Sequence, residues 1–443
     1  MLYFGTDGIR AHQTSLFFTS QSIALIGQAL ALWSKGKGHS SKKILCIHDT
    51  RASAPKIKLA LTYGLQLEKY QLFDGGILPT PAAHWIMRTS PFDFALILTA
   101  SHNPAYDNGI KILLPNAKIT PEDESIIEHH YSNLLLRSCI PETATIEQSS
   151  PKNFQKDAQE KYLQQFNQYV PLPKLHNKKI ILDCAHGAMS FVAETLFKPT
   201  DATIICINNQ PDGLNINQAC GAIHPQSLIE KIKEEHADLG FSFDGDGDRV
   251  IAVDASGNVK TGDDLLCLLT QHPQFIDRQY IVGTTMSNQG LELHLEKTGK
   301  KLIRTNIGDR SVIKAMKKHN ALLGGEPGGH IIINAGIPSS DGAAAARWAL
   351  DTCTERDNYS LHSFAPHVQL TASIKALHKP DFARHPLYQQ ALEEIRLHLP
   401  QGRALIRYSG TEPILRIMVE NTEETAAHHT LKKLTTLFQS ILS

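Results

Sequence analysis

The chain is predicted to be an α/β protein: three consecutive α/β domains with mixed sheets, then a smaller C-terminal α+β domain. Three observations carry that reading. Short apolar runs alternate with amphipathic helical stretches from about Lys43 to Leu350, which is the pattern of layered α/β architecture. The order then changes to strand, helix, strand, strand, helix, ending in the amphipathic run Glu423 to Leu442. Finally, 443 residues is enough chain for about three domains by length alone.

The elements follow in order. Ile44 to His48 reads as a strand and Pro55 to Leu67 as the helix after it; Phe94 to Leu98 reads as a buried strand. The polar stretch Glu142 to Asn153 reads as a linker. Ile180 to Asp183, Ile204 to Ile207 and Leu239 to Phe243 are further strands, with a helix at Pro225 to His236. A third set holds a strand at Ile281 to Gly283, a helix near Asp309 to His319, and Gly342 to Leu350. Boundaries near Ala255 and Asp357 complete a division into units 1–149, 150–254, 255–358 and 359–443.

Composition bounds the function. Apolar content of 42% and charged content of 20% are those of a globular protein with ample core. Lys+Arg and Asp+Glu both number 44, so no global basic field argues for a nucleic-acid partner. The seven cysteines (46, 139, 184, 206, 220, 267 and 353) are scattered, with no C-x-x-C. That fits buried free thiols in a reducing cytoplasm better than a disulfide scaffold. The 22 histidines are spread along the chain; most of them read as surface groups, and so dispersed they form no metal cluster. No apolar run approaches the roughly 18 residues of a membrane span, and the N-terminus lacks a signal-peptide pattern. Neither a membrane nor secretion is expected. G-x-x-x-x-G-K-[ST], H-E-x-x-H and G-x-S-x-G are all missing.

The most informative run is Asp244-Gly245-Asp246-Gly247-Asp248-Arg249, following the strand Leu239 to Phe243. Alternate positions point the same way in extended backbone. Three like charges on one face repel strongly unless a cation sits among them. Oxygen-only ligands favour a hard divalent cation, Mg²⁺ before Ca²⁺. An EF-hand loop starting at Asp244 would need Gly at its sixth position and Glu at its twelfth. Arg249 and Ala255 stand there, which excludes it.

Thr99-Ala100-Ser101-His102-Asn103-Pro104 follows the strand Phe94 to Leu98. Asn103-Pro104 breaks regular structure, so Ser101 and His102 are expected on a loop at a strand's C-terminal end, where open α/β sheets place reactive groups. Asn108-Gly109 reads as a tight turn and Lys111 as the opening of the next apolar run. Two further loops stand out. Gly324 to His330 carries one acid, Glu326, and one imidazole, His330. Arg407-Tyr408-Ser409-Gly410-Thr411-Glu412-Pro413, followed by Arg416, offers a guanidinium fork, hydroxyls and backbone N–H groups that suit a phosphate dianion.

Taken together, these runs and Phe4-Gly5-Thr6-Asp7-Gly8-Ile9-Arg10 resemble, in order and spacing, the motifs of the α-D-phosphohexomutases. The likeness spans residue 4 to residue 416. Within that family, FGTDGIR, the run Gly213 to Asn217 with Cys220-Gly221, and SGTEP are similar to members acting on glucosamine phosphates.

The resemblance implies a fold of four units around a central cleft, each lending one loop. It implies that Ser101 is carried as a phosphoserine and that Mg²⁺ is held by Asp244, Asp246, Asp248 and an oxygen of that group. Glucosamine 6-phosphate and glucosamine 1-phosphate would interconvert through a bisphosphorylated sugar, supplying UDP-N-acetylglucosamine synthesis. Lys111 and His330 are the implied acid/base groups. Arg10 and Arg249 would balance charge, since arginine is effectively never deprotonated. Glu326 would contact sugar hydroxyls, and Arg407, Ser409, Gly410, Thr411 and Arg416 would grip the non-transferring phosphate. A homodimer is left open.

One departure bears on the sugar. Gly328 stands where the family commonly has serine, and Pro327 precedes it. A side-chain hydrogen bond of about 0.5–1.5 kcal/mol is therefore missing. This keeps phosphomannomutase or phosphoglucomutase activity as the alternative, with a metal-dependent sugar-phosphate phosphatase behind it.

Overall fold

The computed structural model describes residues 4–5, 8–137, 146, 148–334, 336–356, 358–361, 364–376, 378, 381–382, 385–399, 402–409 and 413–442. Much of the expected linker from Glu142, and the expected boundary at Asp357, fall outside these residues. So do Thr6, Asp7, Cys139, Gly410, Thr411 and Glu412.

Four sheets succeed one another along the chain. The first has Lys43–His48 at its centre, parallel to both Phe94–Leu98 and Gln71–Ile77. Asp107–Leu114 runs antiparallel beside Phe94–Leu98, and Ile9–His12 closes that edge. Phe94–Leu98 is buried at every position, as a strand covered on both faces must be. One face packs against helices Ser20–Gly36, Ala54–Leu67 and Pro121–Arg137, around Trp33, Leu61 and Phe94. The first two helices approach so closely that a Cβ on Gly64 would lie 1.9 Å from the Ala24 carbonyl.

The expected turn at Asn108–Gly109 is not a turn. Both residues lie inside the strand Asp107–Leu114, and Gly109 pairs with Arg10. The glycine serves close packing instead: a Cβ there would meet the Thr99 carbonyl at 2.5 Å and the Ile9 carbonyl at 2.9 Å. Lys111 consequently sits in mid-strand, opposite Ile97. Lys152–Asn153 also returns to pair with Phe73 and Asp74, so the first sheet is completed by residues beyond 149.

The second sheet sets Leu239–Phe243 parallel to Lys179–Asp183, which is parallel to Thr203–Ile207. Val250–Asp254 and Val259–Lys260 extend it antiparallel. In the third, Tyr280–Thr284 is parallel to Lys301–Thr305 and Leu323–Gly325, and Ile331–Ile333 folds back on the latter. The fourth is antiparallel throughout: Val368–Lys375 and Arg403–Tyr408 flank Ile414–Asn421, with helices Pro386–His398 and Glu424–Leu442. Strand, helix, strand, strand, helix is the order read from the sequence.

One apolar core runs without interruption from Ile97 in the first sheet through Phe241 in the second to Leu323 in the third. The fourth sheet has its own core, around Ile417, Leu434 and Phe438. Six cysteines are described: Cys46, Cys184, Cys220, Cys267 and Cys353 are buried, Cys206 is half-buried, and all are free. Among the described residues no helix is long and apolar enough to cross a membrane.

Candidate active site

Ser101 lies just past the C-terminal end of Phe94–Leu98, buried, with φ at 54°. That left-handed backbone is uncommon for a non-glycine residue and costs on the order of 1–2 kcal/mol, so neighbouring groups must hold it. Thr99 Oγ1 accepts from the Ser101 N–H at 2.8 Å and donates to Asp49 at 2.6 Å. Beneath the loop is Arg51, only 1% exposed. Its Nε donates to Asp49 at 2.9 Å, and its Nη atoms donate to the carbonyls of Ser101 (3.0 Å), Asn103 (2.8 Å), Asp107 (2.8 Å) and Pro104. Asn217, from the second unit, donates to the Ser101 and Asn103 carbonyls at 2.9 and 3.2 Å.

The aspartate run lies against this loop. Ser101 Oγ donates to Asp244 Oδ2 at 2.7 Å. One carboxylate oxygen from each of Asp244, Asp246 and Asp248 falls within 4.8 Å of the others, and all three residues are buried. Asp246 Oδ1 is buried with no hydrogen-bond partner among the described residues. A compact oxygen cage with an orphaned acceptor fits a hard divalent cation. Burial, then the charges of Asp246 and Asp248, drive the Asp244 pKa well up, which is the electrostatic tension a cation would relieve.

Cationic side chains surround the cage. Lys111 Nζ donates to Asp246 at 2.7 Å and to Asp248 at 2.9 Å. For Arg249, burial opposes the charge, but Asp244 and Asp248 prevail and hold its pKa above the usual value. His330 lies between two carboxylates, Nδ1 at 3.7 Å from Asp248 and Nε2 at 3.6 Å from Asp309. Lys118 pairs with the same oxygen of Asp309. Burial, then Arg249 and Arg10, push the His102 pKa down to about 4.

A cleft of ≈ 730 Å³ opens above, lined by Arg10, Ser101, Asp248, Arg249, Glu326 and His330 among others. Glu326 Oε1 accepts from the Gly308 N–H at 2.9 Å. Lys111, Asp244 and Asp246 join it through the hydrogen bonds given above. The first three units thus bring their predicted site residues together. The fourth does not bring its arginines to the same place: Arg407 and Arg416 pair across the fourth sheet and line a separate pocket of ≈ 170 Å³ with Met286 and Ser373. Burial, then the charge of Arg416, draws the Arg407 pKa below its usual value. Ser409 is buried, and its N–H donates to the Ile414 carbonyl at 2.9 Å.

Sequence reasoning missed Asp49, Arg51, Asn217 and Asp309 as site residues, and also Thr80, whose hydroxyl donates to Asp246 Oδ2 at 2.6 Å. Asp49-Thr50-Arg51 directly follows a central parallel strand, a position that favours function, so that run carried a usable signal. Thr80 carried none.

The chain belongs to the phosphoglucomutase/phosphomannomutase family. Its alpha/beta/alpha domain I matches residues 1–137, domain II 160–257, domain III 261–369 and the C-terminal domain 377–436. It is accordingly an isomerase, a phosphotransferring mutase. A phosphoglucosamine mutase of Cronobacter sakazakii is 36% identical over 435 residues, covering 95% of each chain. One from Acinetobacter baumannii is 35% identical over 433 residues, covering 96% of this chain and 95% of that protein. Among solved structures, a phosphoglucomutase/phosphomannomutase family protein of Burkholderia thailandensis superposes with a TM-score of 0.80 at 21% identity, covering 98% of this chain and 97% of that one.

Proposed function

We propose that the protein interconverts glucosamine 6-phosphate and glucosamine 1-phosphate through a phosphorylated Ser101 and a bisphosphorylated sugar. The observation that carries this reading is the 2.7 Å contact between Ser101 Oγ and Asp244 Oδ2, which joins a nucleophile from one unit to a cation cage from another. A divalent cation, Mg²⁺ in this reading, would be held by Asp244, Asp246, Asp248 and an oxygen on Ser101, and would supply charge neutralisation at the transferring phosphoryl group.

The remaining work falls to side chains. Phosphoryl transfer passes through a loose transition state, so positioning and charge dominate catalysis. Arg249 and Arg10 face the charge on the phosphoryl oxygens. Lys111 and His330 handle the proton lost by the attacking sugar hydroxyl and returned to Ser101. Glu326 accepts from sugar hydroxyls. Arg407, Ser409, Gly410, Thr411 and Arg416 grip the other phosphate once the fourth unit closes on the cleft. Free buried thiols suit a cytoplasmic enzyme of amino-sugar supply.

The test is Ser101→Ala, with intact mass and coupled activity. The wild type is expected to carry phosphate; the variant is expected to carry none and to lose turnover by on the order of 10³-fold or more. An unphosphorylated variant that remains fully active overturns the reading.

Gly328 favours a second reading. A Cβ there would lie 3.6 Å from Arg249 Nη1 with nothing else close, so a serine would fit where this chain has none. A higher kcat/KM with mannose or glucose 1-phosphate than with glucosamine phosphate would shift the assignment to phosphomannomutase or phosphoglucomutase.

A further inference from the structure

We propose that Thr80, from the first unit, sets the orientation of Asp246 and thereby how tightly the aspartate cage holds a divalent cation. This rests on the metal reading of the cage given above. The two oxygens of Asp246 are not equivalent. Oδ2 accepts from Thr80 Oγ1 at 2.6 Å and from Lys111 Nζ at 2.7 Å. Oδ1 is buried and has no hydrogen-bond partner among the described residues. With one oxygen occupied by two donors, the carboxylate cannot turn freely, and Oδ1 is the oxygen left for ligation.

Thr80 is built for this task. It is buried, and its own N–H donates to the Asp246 carbonyl at 2.8 Å, so one residue grips both the backbone and the side chain of the metal loop. Its β-branched side chain has few rotamers, and a short hydroxyl-to-carboxylate bond is strong without adding a charge that would compete with the cation. Lys111 binds the same oxygen but also Asp248, and it belongs to the proton-handling set. Thr80 is therefore a positioning residue, and its removal tests orientation separately from chemistry. Partners of metal ligands typically shift affinity by about 10–100-fold.

The experiment is Mn²⁺ binding, followed by the electron paramagnetic resonance signal of the free ion, on the wild type, T80V, T80S and D246A. Thermal unfolding is run alongside. T80V is expected to bind about 10–100-fold more weakly with a near-unchanged unfolding temperature, while T80S stays within about threefold of wild type because its hydroxyl is kept. Should T80V fail to fold, T80A carries the same expectation. Wild-type affinity in T80V or T80A, or a T80S as weak as T80V, overturns the proposal. If the wild type binds no Mn²⁺, or D246A binds as well as wild type, the cage is not a metal site, and the underlying reading fails with it.

Discussion

The floor of the cleft and the arginine pocket of the fourth sheet are built on different principles. At the floor, Ser101, Asp244, Asp246 and Lys111 are all buried and joined across two units at 2.7 Å. The apolar core beneath them is continuous through three units. The fourth sheet stands on a core of its own. Among its polar contacts with the third unit are Arg403 to the Thr285 and Ser287 carbonyls at 2.8 and 2.6 Å, the Gln289 N–H to Glu420 at 2.7 Å, Asn288 to the His367 carbonyl at 3.0 Å and Gln369 to the Met286 carbonyl at 3.1 Å. Phosphoryl transfer tolerates little misplacement of the reacting atoms. Holding a bisphosphate that must be accepted in both orientations calls for give. The separate cores fit the proposed division, with the reacting groups on the shared core and the phosphate grip on the other.

The largest effect expected from that contrast is at Arg51. Arg51→Ala leaves Asp49 buried without its guanidinium and takes one donor from each of the Ser101, Asn103, Pro104 and Asp107 carbonyls. Loss of about 3–5 kcal/mol is expected in urea unfolding, with kcat down by at least about 100-fold. Retained kcat would mean that the Ser101 loop holds itself, and the contrast would be broken.

Arg407→Ala should behave differently. KM for the sugar phosphate is expected to rise about 10–100-fold, with kcat less affected and unfolding unchanged. A collapse of kcat at constant KM would place Arg407 with the floor.

A smaller effect sharpens the picture at the joint. Asp263 accepts from the Asn288 N–H at 2.7 Å, and Asn288 in turn holds His367. Burial pushes the Asp263 pKa up to about 7 from 3.8. Between those values the folded state keeps the proton that the unfolded chain releases, so stability falls as pH rises through this window. The contribution is at most about 1.4 kcal/mol per pH unit. Asp263→Asn should flatten the decline; an identical slope in wild type and variant would show that the joint carries no such load.

Much of this was legible in the chain itself. Phe94–Leu98 is an uninterrupted apolar strand and Leu239–Phe243 is apolar but for Ser242, and the groups that follow them, the aspartate run and Ser101, stand out as local motifs in the chain. The misreading at Asn108–Gly109 has a physical cause. The pair favours turns, but here packing against the Thr99 and Ile9 carbonyls overrides local preference. Lys152–Asn153 is a two-residue polar strand with no periodicity to detect. Thr80 acts through a tertiary partner, and no spacing along a chain reveals an Asp246 that is 166 positions away.

The 143 positions between Ser101 and Asp244 also bear on the order in which the site is assembled. A chain leaving the ribosome exposes its serine long before the residues that must face it, and units generally fold as they emerge. On the proposed reading, the nascent serine has no aspartate cage opposite it until the second unit has been made, and the apolar core shared by the first three units can close only after that.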